Sequence, residues 1–185
     1  MEEPASLAII WINGAFGSGK TSVARHLAGR CADVFLLDPE QIGFMLRRLL
    51  PWTREVDFQT LTLWRQMTVQ AILAAAGADS KRLPIVPMAL VEPDYFDEIV
   101  GSLRREGVAV HHFSLLASPD TLRRRIRWRL DRPHSKRWAR ESIDRCAVLA
   151  ADRFGIHIET DRLRIPEVAA EIVRRLPPPL RARFA

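Results

Sequence analysis

Residues 7–28 read LAIIWINGAFGSGKTSVARHLA and combine three patterns in a fixed order. Leu7–Ile12 is an uninterrupted apolar run, which predicts a buried strand. The loop Gly14–Thr21 follows, and apolar residues then recur at helical spacing from Val23 to Ala28. A strand, then GxxxxGK with Ser or Thr, then a helix is the context in which this pattern forms a phosphate-binding loop, the Walker A motif.

The residue types of this loop suit a polyphosphate. Glycines at 14, 17 and 19 permit backbone conformations that turn N–H groups toward a phosphate. The helix that begins at the end of the loop adds N–H groups without internal partners and the positive end of its dipole. We expect Lys20 to reach the β- and γ-phosphates of ATP and the Thr21 hydroxyl to bind Mg²⁺. The predicted nucleotide-binding residues of the loop are Gly14, Ala15, Phe16, Gly17, Ser18, Gly19, Lys20, Thr21 and Ser22.

The composition indicates one soluble domain, 1–185. The chain has 185 residues, 48% hydrophobic and 27% charged, which is enough for a proper core. The N-terminus Met-Glu-Glu-Pro lacks the basic region of a signal peptide, and no apolar run approaches the roughly 18 residues of a membrane span. Cys31 and Cys146 have neither CxxC spacing nor nearby histidines. A cytoplasmic, reducing location is therefore expected.

The charge balance bears on the class of partner. The net charge is +6 and the pI is near 10.3, and arginine supplies nearly all of the positive charge. A basic surface suits phosphate-bearing partners, which include nucleotides, nucleic acid and anionic lipid. The arginines concentrate in one segment without an aromatic ladder, so a small-molecule substrate is favoured and nucleic acid is not expected as a partner.

Short apolar runs alternate with longer helical patterns along the chain, which is typical of βαβ units on a parallel sheet. Further strands are predicted at 34–37, 83–88, 108–116 and 156–159, and helices at 41–50, 58–76, 94–105, 119–131, 138–151 and 165–176. Five strands in α/β alternation, with the phosphate loop after the first, predict a three-layer P-loop NTPase fold. Pro177–Pro179 are expected to end the ordered part, leaving a short basic tail in 177–185.

Two charged residues follow the second predicted strand. Asp38 closes that strand, and ligands of open parallel sheets bind at the carboxyl ends of the strands, so we expect Asp38 beside the phosphate loop. Its carboxylate could take a hydroxyl proton from an acceptor or hold Mg²⁺ through water, and it could also cap the next helix. Arg47 on that helix either clamps an anionic acceptor or is solvated beside Arg48.

The cleft above the second and third strands is the expected acceptor site. Gln59, Trp64 and Met88 are its candidate substrate contacts, although an aromatic residue on a helix is more often part of the core. His111 and His112 have no metal-ligand spacing and are interpreted as satisfied structural histidines.

An arginine cluster follows the fourth predicted strand. Its members are Arg123, Arg124, Arg125, Arg127, Arg129 and Arg132. Like charges at i,i+4 on a helix repel each other, whereas a polyphosphate would neutralise them, as in the mobile lids of phosphotransferases. The alternative is a solvated basic face. Arg125 and Arg129 share a face, and Arg137, Arg140 or Arg145 could answer from the far side of a lid at about 125–145.

Several segments together carry a family resemblance: WINGAFGSGKT (11–21), DPEQIGFMLR (38–47), DFQ (57–59), LWR (63–65), IVPM (85–88), HHFSLLAS (111–118) and IDRC (143–146). In order and spacing they resemble the bacterial ATP-binding tunicamycin-resistance proteins, over about residues 7–175. The layout is more distantly similar to nucleoside-monophosphate kinases and small-antibiotic phosphotransferases.

The resemblance implies more than the residues alone. It implies the strand order 2-3-1-4-5, Arg125 on the adenine and Arg129 on phosphate as a catalytic lid residue. It also implies Asp38 as the catalytic base and Arg47 as a contact of the acceptor. Its functional implication is ATP binding with protection against a uracil-containing nucleoside antibiotic, by phosphorylating or sequestering it.

Two departures from the family pattern affect these expectations. The third strand ends Pro87-Met88 and not in the acidic residue that many P-loop kinases have there, so Mg²⁺ would depend on Thr21 with Asp38, or on water. Phosphotransfer and ATP-dependent sequestration therefore both stay open. Family members attach to membranes through a basic amphipathic tail, but Leu180–Ala185 is too short for an interfacial helix, so we expect weak membrane association or none.

Overall fold

The protein is described from a computed structural model, in which residues 7–78, 82–127, 143 and 146–185 are described. Its centre is a five-stranded sheet in which all the observed strand pairs are parallel. The strands are β1 (Ala8–Gly14), β2 (Val34–Leu36), β3 (Leu83–Pro87), β4 (Ala109–Leu116) and β5 (Ile156–Glu159). Their order in the sheet is β2-β3-β1-β4-β5, which confirms the predicted fold class and strand order.

The helices occupy the segments between and after the strands. They are α1 (Lys20–Ala28), α2 (Glu40–Leu49), α3 (Thr62–Ala78), α4 (Pro93–Arg105), α5 (Pro119–Arg127), α6 (Ile165–Arg175) and α7 (Pro178–Arg181). Short 3₁₀ helices are found at Pro51–Thr53, Phe58–Thr60, Cys146–Ala150, Asp152–Phe154 and Ala182–Phe184.

Two large apolar clusters, one on each face of the sheet, form most of the core. A smaller third cluster contains Ala15, Leu122, Ile126 and Ile143. Successive side chains of β1 point to opposite faces, so Trp11 enters one cluster and Ile12 the other. The first cluster is covered by α3 and α4, which contact each other, and the second by α1 and α6, which also do. The predicted three layers are therefore present. Because the strands are parallel, their carboxyl ends all lie at the same edge of the sheet.

The helix predicted at 58–76 is interrupted at its start. Phe58–Thr60 is a 3₁₀ turn, Leu61 is extended, and α3 begins only at Thr62. The reason is local: the Asp57 side chain accepts a hydrogen bond from the Gln59 N–H and caps the short turn. Helical periodicity cannot reveal such a break, because the apolar residues on both sides keep the same spacing.

The expectation that order ends at Pro177–Pro179 is wrong. Proline suits the first turn of a helix, and α7 begins there. Leu180 and Phe184, 8% and 6% exposed, pack into the cluster under α1 and α6. The C-terminal residues therefore belong to the core, since burial of these two side chains offsets the loss of chain entropy.

Other predicted helical segments are described only in part. α5 is described as far as Arg127, and the predicted helix at 138–151 lies largely outside the described residues. Of its described residues, Ile143 is α-helical, as predicted, and Cys146–Ala150 form a 3₁₀ helix. No helix among the described residues combines the length and apolarity needed to cross a bilayer.

Candidate functional site: a glycine loop at the carboxyl edge of the sheet

The loop after β1 needs glycine because of its backbone. Gly14, Gly17 and Gly19 have φ values of 151°, 87° and 97°. A Cβ at Gly14 would collide with Ser18 Oγ and lie 3.0 Å from the carbonyl oxygen of Leu115. The Ser18 N–H donates to the Ala15 carbonyl at 3.1 Å and closes a tight turn. The loop therefore turns tightly, with backbone conformations at these three positions that glycine adopts without strain.

The start of α1 gives this loop its anion-binding character. Gly19 is the N-cap residue and offers no side chain to the first N–H groups of the helix. Lys20 and Ser18 are buried, and the Ser18 hydroxyl has no hydrogen-bond partner among the described residues. A buried hydroxyl without a partner is costly unless a ligand or water completes it. Thr21, the predicted Mg²⁺ ligand, is half-buried in the first turn of α1.

A pocket of about 480 Å³ opens beside this loop, a volume typical of small-molecule sites. Its walls come from the loop, from α5, and from the segment that joins β5 to α6. They are formed by Gly17–Ser22, Arg125, Thr160, Leu163, Arg164, Ile165 and Val168. The phosphate loop thus forms one wall of the pocket, while apolar and arginine side chains form the others. This combination suits a nucleotide, whose base is apolar on its faces and whose phosphates are anionic.

Arg125 lies at the edge of this pocket. Its guanidinium donates to the Thr160 carbonyl oxygen at 2.7 Å, to the Thr160 hydroxyl at 3.1 Å and to the Ser18 carbonyl oxygen at 3.4 Å. Burial lowers the pKa of Arg125, but an arginine remains cationic at neutral pH. Arg125 therefore fixes α5 against the loop and the end of β5. Arg129, the other predicted lid residue on this helix face, lies outside the described residues, as does most of 125–145.

Asp38 lies at the same edge of the sheet but not directly beside the loop. β3 separates β2 from β1, so two strand spacings, roughly 9.5 Å, lie between the ends of those strands. Asp38 and the loop therefore share this edge of the sheet, with the end of β3 between them. Asp38 is half-buried, and its Oδ1 accepts a hydrogen bond from the Glu40 N–H at 3.0 Å, so the capping interaction is present. Because only one carboxylate oxygen of Asp38 accepts this hydrogen bond, the other can still accept from another partner.

Arg47 is not simply solvated beside Arg48, and its role as an acceptor contact stays a prediction. It is half-buried, donates to the Val56 carbonyl oxygen at 2.9 Å, and lies 5.2 Å from the centre of the Phe58 ring. The Phe58 ring packs in turn on Trp64. Arg47 thus joins α2 to the segment before α3.

The three candidate substrate contacts differ in their environment. Trp64 and Met88 are buried in the core under α3 and α4, and Trp64 Nε1 donates to the Pro39 carbonyl oxygen at 3.0 Å. Neither presents a side chain to the cleft, so the interpretation as core residues is the one the structure supports. Gln59 is partly buried, and its Nε2 donates to the Ala89 carbonyl oxygen at 2.9 Å.

The two histidines of β4 have structural surroundings. His112 packs against Phe96, and burial, with Arg104 nearby, lowers its pKa to about 3. Neither ring nitrogen of His112 has a hydrogen-bond partner among the described residues, so it is a structural but not a satisfied histidine. Burial also lowers the pKa of His111. Within the described ranges, no three His, Cys, Asp or Glu side chains group as metal ligands.

Sequence reasoning missed Asn13 and Thr160. Asn13 is fully buried at the end of β1 and bonds to both Gly14 and Leu90. Thr160 is 1% exposed and bonds to Leu116 as well as to Arg125. One signal existed for Asn13, a polar residue that interrupts an apolar strand just before the first glycine. None existed for Thr160, whose partners are far away in sequence.

The comparisons with known proteins agree with this geometry. A family model described as an AAA domain matches residues 9–151. The structure of the tunicamycin resistance protein of Deinococcus radiodurans superposes with a TM-score of 0.75 at 30% sequence identity, over 91% of this chain and 94% of that chain. The chain belongs to the P-loop family that includes this tunicamycin resistance protein. The tunicamycin-resistance resemblance found in the sequence is thereby confirmed.

More distant members of the P-loop kinase fold also superpose. A gluconokinase of Sinorhizobium meliloti gives a TM-score of 0.64 at 17% identity, over 97% of this chain and 94% of that one. The adenylylsulfate (APS) kinase CysC of Mycobacterium tuberculosis, in complex with AMPPNP and APS, gives 0.63 at 18% identity over 92% and 98%. At these identities the likeness is one of fold. A search among curated protein sequences found no match. Membership of the family supports nucleotide binding by this chain, and these superpositions show that its fold is kinase-like.

Proposed function

We propose that this protein is an ATP-dependent phosphotransferase that moves the γ-phosphoryl group of ATP to a hydroxyl of tunicamycin or a related nucleoside-like antibiotic. The observation that carries the proposal is the shared sheet edge of the glycine loop and Asp38 in a chain of the tunicamycin-resistance family. The gap of two strand spacings leaves room for a terminal phosphate and an acceptor hydroxyl between them. ATP is abundant in the cytoplasm, where we place the reaction.

In this proposal the nucleotide occupies the loop and the pocket beside it. The N–H groups of Gly14–Thr21 and the ammonium of Lys20 hold the phosphates, and the base enters the pocket between Arg125 and Leu163. The buried Ser18 hydroxyl, which has no hydrogen-bond partner among the described residues, supports a cradle for an oxygen-rich group. Mg²⁺, when bound, neutralises phosphate charge, and Thr21 is the residue that would hold it.

The chemistry on the acceptor side falls to Asp38. Its carboxylate takes the proton of the acceptor hydroxyl as that oxygen bonds to the γ-phosphorus and the bond to the departing ADP oxygen breaks. Lys20, with Arg129 of the proposed lid, stabilises the charge on the transferring group. Arg47 orients the acceptor indirectly, since its contacts with Val56 and Phe58 fix the segment that carries Gln59.

A second function, ATP-dependent sequestration of the antibiotic, is favoured by one feature. β3 ends in Pro87 and is followed by buried Met88, so neither of these residues offers the side-chain carboxylate that would add a firm metal ligand. A protein of this kind would use ATP binding only to complete the binding site, and the antibiotic would leave unchanged.

The test is to incubate the protein with ATP, Mg²⁺ and tunicamycin and to measure the molecular mass of the antibiotic by mass spectrometry. Phosphotransfer adds about 80 Da, one phosphoryl group. Asp38→Asn is expected to abolish the product while leaving ATP binding intact. Asp33→Asn, an exposed aspartate just before β2, is the matched control and should behave as wild type. An unchanged mass with ATP-dependent binding of tunicamycin would establish sequestration, and full activity of Asp38→Asn would refute the base assignment.

A further inference from the structure

The three residues after β3 are held by side chains and not by a strand ladder. Pairing of β1 with β3 stops at Ile12 and Pro87, and proline has no N–H to continue it. Beyond that point each of three consecutive carbonyl oxygens accepts a hydrogen bond from a side chain. Met88 accepts from Trp11 Nε1 at 3.1 Å, Ala89 from Gln59 Nε2 at 2.9 Å, and Leu90 from Asn13 Nδ2 at 2.8 Å.

Asn13 makes the central connection. Its Oδ1 accepts from the N–H of Leu90 at 3.0 Å and from the N–H of Gly14 at 2.8 Å. Only one orientation of the amide satisfies this arrangement, because the reverse would place its NH₂ against two donors. The side chain is fully buried, so these bonds are shielded from bulk solvent. Asn13 thus binds Leu90 on both its N–H and its carbonyl, as a neighbouring strand would.

We propose that Asn13 is a positioning residue that couples the phosphate loop to the acceptor side of the cleft through segment 88–90. Gly14 is the first residue of the phosphate loop, and the same Asn13 oxygen binds both Gly14 and Leu90. A nucleotide that fixes Gly14 therefore also fixes Leu90. The inference rests on the nucleotide binding in the proposed function, but not on phosphotransfer or on the identity of the acceptor.

Gln59 is the second positioning residue of this coupling. It reaches Ala89 from the 3₁₀ turn before α3, which Arg47 also holds through Phe58. Segment 88–90 is thus bonded on one side to the phosphate loop strand and on the other to the acceptor crossover between β2 and β3. Loss of Gln59 should loosen the segment without touching Gly14, whereas loss of Asn13 should release both.

Amide hydrogen exchange read by mass spectrometry tests the coupling, with AMPPNP as the probe. In the wild type, saturating AMPPNP is expected to slow exchange in a peptide that covers 88–91. In Asn13→Ala, AMPPNP should bind about tenfold more weakly, equivalent to 1.4 kcal/mol, and at saturation it should no longer slow that peptide. Gln59→Leu should keep wild-type AMPPNP affinity while its 88–91 peptide exchanges faster without nucleotide.

Controls separate this coupling from general instability. Thr68→Val removes a buried hydroxyl that has no partner among the described residues and should behave as wild type in every measurement. Asn13→Ser, which keeps a polar atom in the buried position, is judged in the same way if Asn13→Ala does not fold. Nucleotide-induced protection of 88–91 in a folded Asn13 variant equal to that of wild type overturns the inference. A folded wild type that binds no AMPPNP overturns the proposed function instead, and the coupling with it.

Discussion

Replacing Gly14 by alanine is expected to cost both stability and nucleotide affinity. Gly14 has a φ of 151°, where residues with a Cβ are strained by about 1–3 kcal/mol. The added Cβ would also collide with Ser18 Oγ and crowd the Leu115 carbonyl oxygen at 3.0 Å, and overpacking of this kind costs about 1–3 kcal/mol. Together these effects predict a loss of roughly 2–6 kcal/mol in the free energy of unfolding.

Gly107→Ala is the matched control for the backbone effect. Gly107 also has a positive φ, 79°, but no described atom lies within 4 Å of the place its Cβ would take. Its alanine variant carries conformational strain without a collision, so it should lose only about 1–2 kcal/mol. Gly107 lies between α4 and β4 and is not part of the pocket beside the phosphate loop, so its nucleotide affinity should stay at the wild-type value.

Urea unfolding and calorimetric titration with AMPPNP measure the two quantities separately. In a chain of this length each kcal/mol moves the melting temperature by about 2–4 °C, so Gly14→Ala should melt lower by about 4 °C or more. Its AMPPNP affinity should fall because the loop N–H groups move when Ser18 is displaced. If Gly14→Ala is no less stable than Gly107→Ala and binds AMPPNP as wild type does, the loop tolerates a side chain at Gly14 and the steric argument is refuted.

Two further predictions concern the core. His112 is neutral in the folded protein because burial lowers its pKa to about 3 from 6.5, so the unfolded chain takes up the proton first as pH falls. The contribution of His112 to the free energy of unfolding should therefore be fully present above pH 6.5 and be lost toward pH 3, by about 2–3 kcal/mol between pH 7.5 and 4.5. Urea unfolding at these two pH values should show a smaller loss of stability for His112→Leu than for the wild type. An equal loss would mean that His112 does not cause the pH dependence. Phe184→Ala should cost about 3 kcal/mol by leaving a cavity under α1 and α6, and unchanged urea unfolding would mean that the C-terminal turn contributes nothing to the core.

The phosphate loop was predictable because its sequence signals are local. Strand, glycine loop and helix follow one another in sequence, so the fold class and the phosphate loop could be inferred from residues 7–28. The strand order came from the family resemblance, since periodicity carries no information about which strands are neighbours. That order decides how far Asp38 lies from the loop, and the residues alone could not give this distance.

Long-range partners set the limit of prediction. Asn13 and Leu90 are 77 residues apart, and the Arg125 partner Thr160 is 35 residues away. The prediction for the C-terminal turn was wrong for a different reason, because its prolines were interpreted as the end of the ordered chain. The i,i+4 spacing of Leu180 and Phe184 already allowed both side chains to be buried on one face. In each case a tertiary contact decides, and the local pattern permits more than one outcome.

The bonding of segment 88–90 also bears on how a metal would be held. The carbonyl oxygens of Met88, Ala89 and Leu90 already accept side-chain donors, so they are poor substitutes for the carboxylate that is missing at the end of β3. In the proposed function Thr21 and, through water, Asp38 would hold Mg²⁺, and neither is a strong ligand alone. Mg²⁺ commonly keeps several waters and binds mainly through substrate phosphates. Metal binding by this protein should therefore depend on nucleotide, with little affinity for Mg²⁺ in its absence, and calorimetric titration of Mg²⁺ with and without AMPPNP would show whether it does.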